Sequence, residues 1–214
     1  MTTSSARPTT ARDALAFLRE GNDRFARDER VTTPFAARRA EITAGQSPFA
    51  IVLSCSDSRA PAEYVFDCGL GDLFVVRVAG NVCAPSLIGS VEFAASKFGT
   101  PLVVVMGHTG CGAIAATIDT LRAGPPSGLS SNVLDIVQRI TPAVAEIALG
   151  PGPLDELVRK ATRANVRATV NQLRHGSRTL EDGIAAGTLA VVGAEYALDT
   201  GVVDFFDVPE ALAG

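Results

Sequence analysis

Leu102-Val103-Val104-Val105-Met106-Gly107-His108-Thr109-Gly110-Cys111 decides how the rest of this chain is read. Its opening run carries no charge and has the length of one buried strand, and an unbroken apolar run of this kind suits a parallel strand covered on both faces. The run stops at a histidine and then a cysteine, separated by Thr109-Gly110, where glycine permits a tight bend. A second stretch repeats the pattern, with Phe49-Ala50-Ile51-Val52-Leu53-Ser54 running directly into Cys55. In an open α/β sheet, ligands gather outside the carboxyl ends of parallel strands, so two remote segments can deliver Cys55, His108 and Cys111 to one point. Two thiolates and an imidazole form a soft donor set suited to Zn2+ and not to magnesium or calcium. Three protein ligands leave one tetrahedral position open, as at a catalytic rather than a structural zinc. Asp57 and Arg59, in Cys55-Ser56-Asp57-Ser58-Arg59, put a carboxylate and a guanidinium close behind the first ligand.

Working outward, Ala14, Leu15, Leu18 and Phe25 recur near helical spacing and predict an amphipathic helix over 11–28. A short helix is expected from Pro34 to Thr43, with proline at a first-turn position where its missing N–H costs little; Gly45-Gln46-Ser47-Pro48 ends it. Strands are expected over 49–54, 73–78 and 102–107, with helices from Ser86 to Phe98 and over 112–122. Gly124-Pro125-Pro126-Ser127-Gly128 opens a surface connection. Helical patterns then run from about Val133 to Leu180 without the strands of a second core. Leu189 to Tyr196 and Val202 to Phe206 flank Asp199-Thr200-Gly201, a hairpin signal. The fold class expected is therefore α/β, a central parallel sheet flanked by helices and extended by a C-terminal antiparallel hairpin strand. One domain over 11–208, with an N-terminal helical arm, is expected between a flexible tail at 1–10 and a tail at 209–214.

Of 214 residues, 47% are hydrophobic and 20% charged, the composition of a folded globular chain. A net charge of −4 with scattered Lys and Arg lacks the concentrated basic face of a nucleic-acid binder. Met1-Thr2-Thr3-Ser4-Ser5-Ala6-Arg7-Pro8 has no apolar signal core, and the apolar runs fall short of a membrane span, so no membrane partner and a cytoplasmic location are expected. In that compartment the four cysteines suit a metal better than disulfides. Cys68 and Cys83 lack ligand partners at recognisable spacing and read as ordinary packed thiols. His175, in Arg174-His175-Gly176-Ser177, reads as a surface residue.

Alone, His-x-x-Cys is a weak signal; two ligand motifs in order are not. Cys55-Ser56-Asp57-Ser58-Arg59 together with Gly107-His108-Thr109-Gly110-Cys111-Gly112 resembles the β-class carbonic anhydrases, in their plant-type, bacterial-like branch. Gly71 to Asn81, Gly89 to Ala94 and Val192 to Tyr196 add to the likeness, which covers residues 11 to 208. The resemblance implies a zinc lyase in which Cys55, His108 and Cys111 bind one Zn2+ and hydroxide formed at the metal attacks CO2 to give bicarbonate and a proton. It makes Asp57 and Arg59 the catalytic pair, the carboxylate aiming the nucleophile and the guanidinium holding it ionised. Asp57, beside an open metal position, is also a possible fourth ligand in a closed state. Gln46, nine residues before Cys55, looks like the family's substrate-facing glutamine, and Phe74 and Phe93 like the aromatic lining of its CO2 pocket. Without the resemblance, Gln46 reads as a helix-terminating polar residue and both phenylalanines as core. The other branch has a tryptophan in place of Gln46 and an inhibitory bicarbonate site; this chain has no Trp. The resemblance further implies self-association as a dimer or tetramer, the N-terminal helix embracing its partner. Two alternatives share these motifs: a CS2 or COS hydrolase on the same zinc, and a non-catalytic structural zinc protein.

Overall fold

Ala50–Ser54 (β1), Leu73–Arg77 (β2), Leu102–His108 (β3) and Ala190–Tyr196 (β4) lie side by side as parallel strands, and Val203–Phe206 (β5) pairs antiparallel with β4. The sheet order is β2-β1-β3-β4-β5, so the two strands with the most continuous apolar runs occupy the centre, where every residue of both is buried. These features come from a computed structural model that describes residues 7–31 and 35–212. The expected architecture is the one observed. Residues 1–6 and 213–214 of the expected tails, and the Pro34 start of the second helix, lie outside the described residues.

Eight helices are described: α1 (Ala11–Ala26), α2 (Phe35–Ile42), α3 (Ala62–Val65), α4 (Pro85–Phe98), α5 (Gly112–Ala123), α6 (Ser131–Leu149), α7 (Leu154–His175) and α8 (Arg178–Ala185). Ala14, Leu15 and Leu18 of α1 pack on Ala50, Val52, Val104, Met106, Val192 and Ala194, one face of the sheet. On the other face, Val91 of α4, Val166, Val170 and Leu173 of α7 and Leu180 of α8 cover Ile51, Leu53, Val103, Val105 and Val191. This is the period-two alternation of strand side chains. A third apolar cluster, from α5, α6 and the start of α7, surrounds Cys55 and Cys111 at the carboxyl ends of β1 and β3. Among the described residues no helix is long and apolar enough to cross a membrane.

Sequence periodicity missed α3 and the 3-10 turn Ala79–Asn81, both too short to show a helical repeat. The hairpin connection closes as expected around Gly201, which has φ 77 and donates its N–H to Ala197 O at 2.9 Å.

Within this chain, the helix that the resemblance assigns to a partner covers the chain's own sheet. The reason lies in two residues. A Cβ on Gly21 would stand 2.0 Å from Phe66 O, so only glycine lets α1 settle this closely. Buried Asn22 donates to Val65 O (3.1 Å) and Gly201 O (2.8 Å) and accepts the Val203 N–H (2.7 Å), which joins α1, α3 and the β4–β5 hairpin. Asp67, almost inaccessible and at φ 47, closes the far end of α1: it receives Arg24 Nε at 2.7 Å, the Val31 N–H at 3.2 Å and an ion pair with Arg30 Nε at 3.5 Å. Asp67→Ala leaves these donors around an empty site, and a loss of about 2 kcal/mol is expected, less than for a fully buried pair because Arg24 reaches solvent. A thermal melt should record this as a drop of roughly 4–8 °C; an unchanged melting temperature would show that the clamp is dispensable.

Candidate metal centre

Parallel strands place their carboxyl ends together, and this brings the two motifs into contact. Ser54 pairs with Met106, so Cys55 and His108 leave neighbouring strands at the same edge of the sheet. Thr109-Gly110, with Gly110 at φ 64, then turns the chain back so that Cys111 stands as the residue capping the start of α5. Thr109 ties this turn to the C-terminal hairpin: its N–H donates to Tyr196 O (2.9 Å) and its Oγ1 accepts the Leu198 N–H (3.0 Å).

Cys55, His108 and Cys111 are all buried, and one ligand atom from each lies within 4.8 Å of the others. The two Sγ atoms are 4.0 Å apart. Tetrahedral zinc with Zn–S bonds of about 2.3 Å separates two sulfurs by about 3.8 Å, so the trio is nearly pre-formed for that ion. The His108 ring is 1% exposed; its Nδ1 lies 3.0 Å from Thr109 O, whereas Nε2 has no hydrogen-bond partner. A buried ring nitrogen facing two sulfurs without a donor is costly unless it binds something, and the carbonyl on Nδ1 fixes the tautomer that leaves Nε2 free as a metal ligand. The thiols carry the same message. The Cys55 thiol is drawn down, chiefly by the Cys111 thiol and further by His108 and the Gly80 N–H, while Cys111 is driven up by that same contact and by burial. Two adjacent sulfurs cannot both ionise in a buried site unless a cation neutralises them. The donor set therefore fits Zn2+.

Asp57 follows Cys55 out of β1. Its Oδ1 accepts the Arg59 N–H (2.9 Å) and Nε (3.0 Å), and its Oδ2 accepts Arg59 Nη2 (2.8 Å). This bidentate hold keeps the Asp57 carboxyl well below the usual carboxylate range. Oδ2 also lies 3.8 Å from His108 Nε2, so the carboxylate stands between Arg59 and the ligand trio. The expected pair and the expected ligands thus meet in one place.

Gln46, Phe74 and Phe93 do not join them within the chain. Gln46 is exposed in the loop that enters β1, and the length of that strand puts it roughly 16 Å or more from Cys55. Phe74 pairs with Ile51, roughly 13 Å back along the strand. Phe93, on α4, packs its ring 6.4 Å from Phe74 and 5.6 Å from Phe98, yet is 53% exposed. Cys68 and Cys83 lie away from the ligand trio, both thiols pushed up by burial, Cys83 to about 11. His175 is exposed, as expected.

Two contacts to the site were not foreseen. Arg77 bonds the carbonyls of Cys55 and Asp57, and Gly80, at φ 72, donates its N–H to Cys55 Sγ at 3.4 Å. The signal available was a single charged residue, Arg77, inside the otherwise apolar run Leu73 to Val78.

A sequence model of the family described as carbonic anhydrase matches residues 50–203. A carbonic anhydrase of Mycolicibacterium smegmatis is 43% identical over 189 residues, covering 87% of this chain and 89% of the relative. Carbonic anhydrase 2 of Mycobacterium tuberculosis is 40% identical, covering 86% and 87%. Among solved structures, a tetrameric β-carbonic anhydrase of Sordaria macrospora superposes with a TM-score of 0.69 at 19% identity, over 91% of this chain and 98% of that one. A β-carbonic anhydrase of Aspergillus fumigatus gives 0.68 at 26% identity, over 94% and 93%. With the fold, the ligand trio and the sequence in agreement over most of its length, the chain belongs to the β-class carbonic anhydrase family.

Proposed function

We propose that the chain catalyses the reversible hydration of CO2 to bicarbonate and a proton, on one Zn2+ held by Cys55 Sγ, His108 Nε2 and Cys111 Sγ. The observation that carries this reading is the unpartnered His108 Nε2, buried against two sulfurs with the Asp57 carboxylate on the remaining side. Bound there, zinc supplies the Lewis acidity that makes hydroxide available near neutral pH. The rest falls to the chain. Asp57 Oδ2 accepts a hydrogen bond from the nucleophile and turns a lone pair toward the CO2 carbon. Arg59 holds that oxygen in place and unprotonated. The apolar walls from Val82, Ile114 and Ile140 keep bulk water from the sulfurs.

Gln46, Phe74 and Phe93 act, in this reading, on the metal centre of a second copy. The distance of Gln46 and Phe74 from Cys55, the exposure of Phe93 and of Gln46 and the open outer edge of β2 support a role at the centre of another subunit. The tetrameric state of the Sordaria macrospora relative supports self-association as a dimer or tetramer. Reduced, metal-binding thiols suit a cytoplasmic location.

Stopped-flow CO2 hydration by the zinc-loaded protein, run beside COS and CS2 hydrolysis, tests the activity. Two thiolates cancel the formal charge of Zn2+, so water is acidified less than beside three imidazoles, and the hydration rate is expected to rise across about pH 6 to 9. A loaded protein inert toward CO2 over that range would sink the reading; faster turnover of CS2 or COS would reassign the substrate.

A further inference from the structure

Arg77, the last residue of β2, stands behind the site rather than in it. Its Nε donates to Cys55 O at 3.0 Å and its Nη2 to Asp57 O at 2.6 Å, so one planar guanidinium spans the carbonyls of a metal ligand and of the carboxylate residue beside it. Among the described residues it has no carboxylate partner, and the two carbonyls take the place of an ion pair. The backbone after β2 supports the same loop: Val78 N–H donates to Ser54 O, Ser56 N–H donates to Val78 O, and the Gly80 N–H reaches Cys55 Sγ. None of those bonds touches Asp57. Asp57 O also accepts the Ala60 N–H at 3.0 Å, but that bond lies inside its own turn; Arg77 ties the turn to the sheet.

The consequence concerns where the Asp57 side chain goes. Its Oδ2 is bound to Arg59 yet already lies 3.8 Å from His108 Nε2, so a small rotation of the turn would carry it onto the open coordination position. Arg59 cannot prevent that alone, because its side chain is more than half exposed and moves with the same turn. We propose that Arg77 is a positioning residue for the reaction: by fixing the carbonyls of Cys55 and Asp57 it keeps the Asp57 carboxylate on Arg59 and off the metal. This rests on the CO2-hydrating reading of the site.

The test uses Arg77→Ala, Arg77→Lys and Arg77→Ala with Asp57→Asn, each loaded with zinc for kinetics and with cobalt for visible spectra, and azide as the probe of the open position. Arg77→Ala is expected to keep one metal per chain and a near-parental KM for CO2. Its kcat should fall roughly ten- to a hundredfold, the usual range for groups supporting a ligand shell. Its cobalt bands should no longer shift with azide, and adding Asp57→Asn should restore that shift without restoring activity. Arg77→Lys keeps the charge but not the span across both carbonyls, and decides the matter where the alanine variant does not fold; it should also be silent to azide. A kcat within about twofold of the parent, or a parental azide shift in the folded variant, overturns the proposal, as does loss of metal from both single variants. A parent whose own bands ignore azide overturns it too, since the carboxylate is then already on the metal. A parent that responds to azide yet leaves CO2 unhydrated instead removes the functional reading, and the spectra still decide what Arg77 does.

Discussion

Cys111→Ser is expected to abolish metal retention and to lower CO2 hydration by at least about a thousandfold, because the large drop in water's pKa that zinc provides is lost with the ion. A serine hydroxyl does not ionise near neutral pH and offers a hard oxygen where the site needs a soft thiolate. The remaining pair, Cys55 and His108, cannot hold the ion alone. The substitution is also a clean one. Cys111 caps α5, and serine is among the better residues at a helix start, so the helix and the apolar cluster behind it should persist. Metal analysis, far-ultraviolet circular dichroism and stopped-flow hydration, run on the same preparation, separate the outcomes. Lost metal and lost activity with an unchanged fold are expected; a variant as fast as the parent would show that the site has been placed wrongly.

Gln46→Ala is expected to lower CO2 hydration on the order of a hundredfold, the cost of removing one hydrogen-bond donor from a reacting oxygen. The more telling result comes from mixing. If Gln46 serves the centre of a second copy across a twofold contact, a Gln46→Ala chain paired with a Cys111→Ser chain forms one site with both defects and one with neither. Random pairing makes half the dimers mixed, so about a quarter of all sites regain the full set, and activity should recover to about a quarter of the parent. The two proteins are denatured together and refolded, and compared with each refolded alone. Recovery would assign Gln46 to the neighbouring centre; two folded proteins that stay inactive when mixed would place it at its own centre or at none.

Much of this was legible from residues alone. The unbroken runs before Cys55 and through Met106 can be satisfied only by burial on both faces, which dictates a parallel sheet and, with it, a common edge for whatever follows each strand. That is why Cys55, His108 and Cys111, a linear distance of 56 residues at its widest, are joined by the sequence pattern alone. The Asp57–Arg59 pair was legible for a different reason: both residues sit in one short turn, where few geometries exist. Short elements escaped because α3 and the 3-10 turn at Ala79–Asn81 span less than the repeat by which helices are recognised.

The sequence by itself determined the sheet, the convergence of Cys55, His108 and Cys111 and the chemistry of these candidate donors, since these follow from hydrophobic period, strand polarity and the softness of sulfur and imidazole. Only the tertiary structure decided how α1 seats on its own sheet through Gly21 and Asn22, that Gln46 and Phe74 stand far from Cys55, and that Arg77 reaches behind the candidate metal centre. These depend on which strand end faces which loop and how far a side chain extends in space. Local pattern carries the direction of each residue from its own backbone, and distance between segments arises only when the sheet closes.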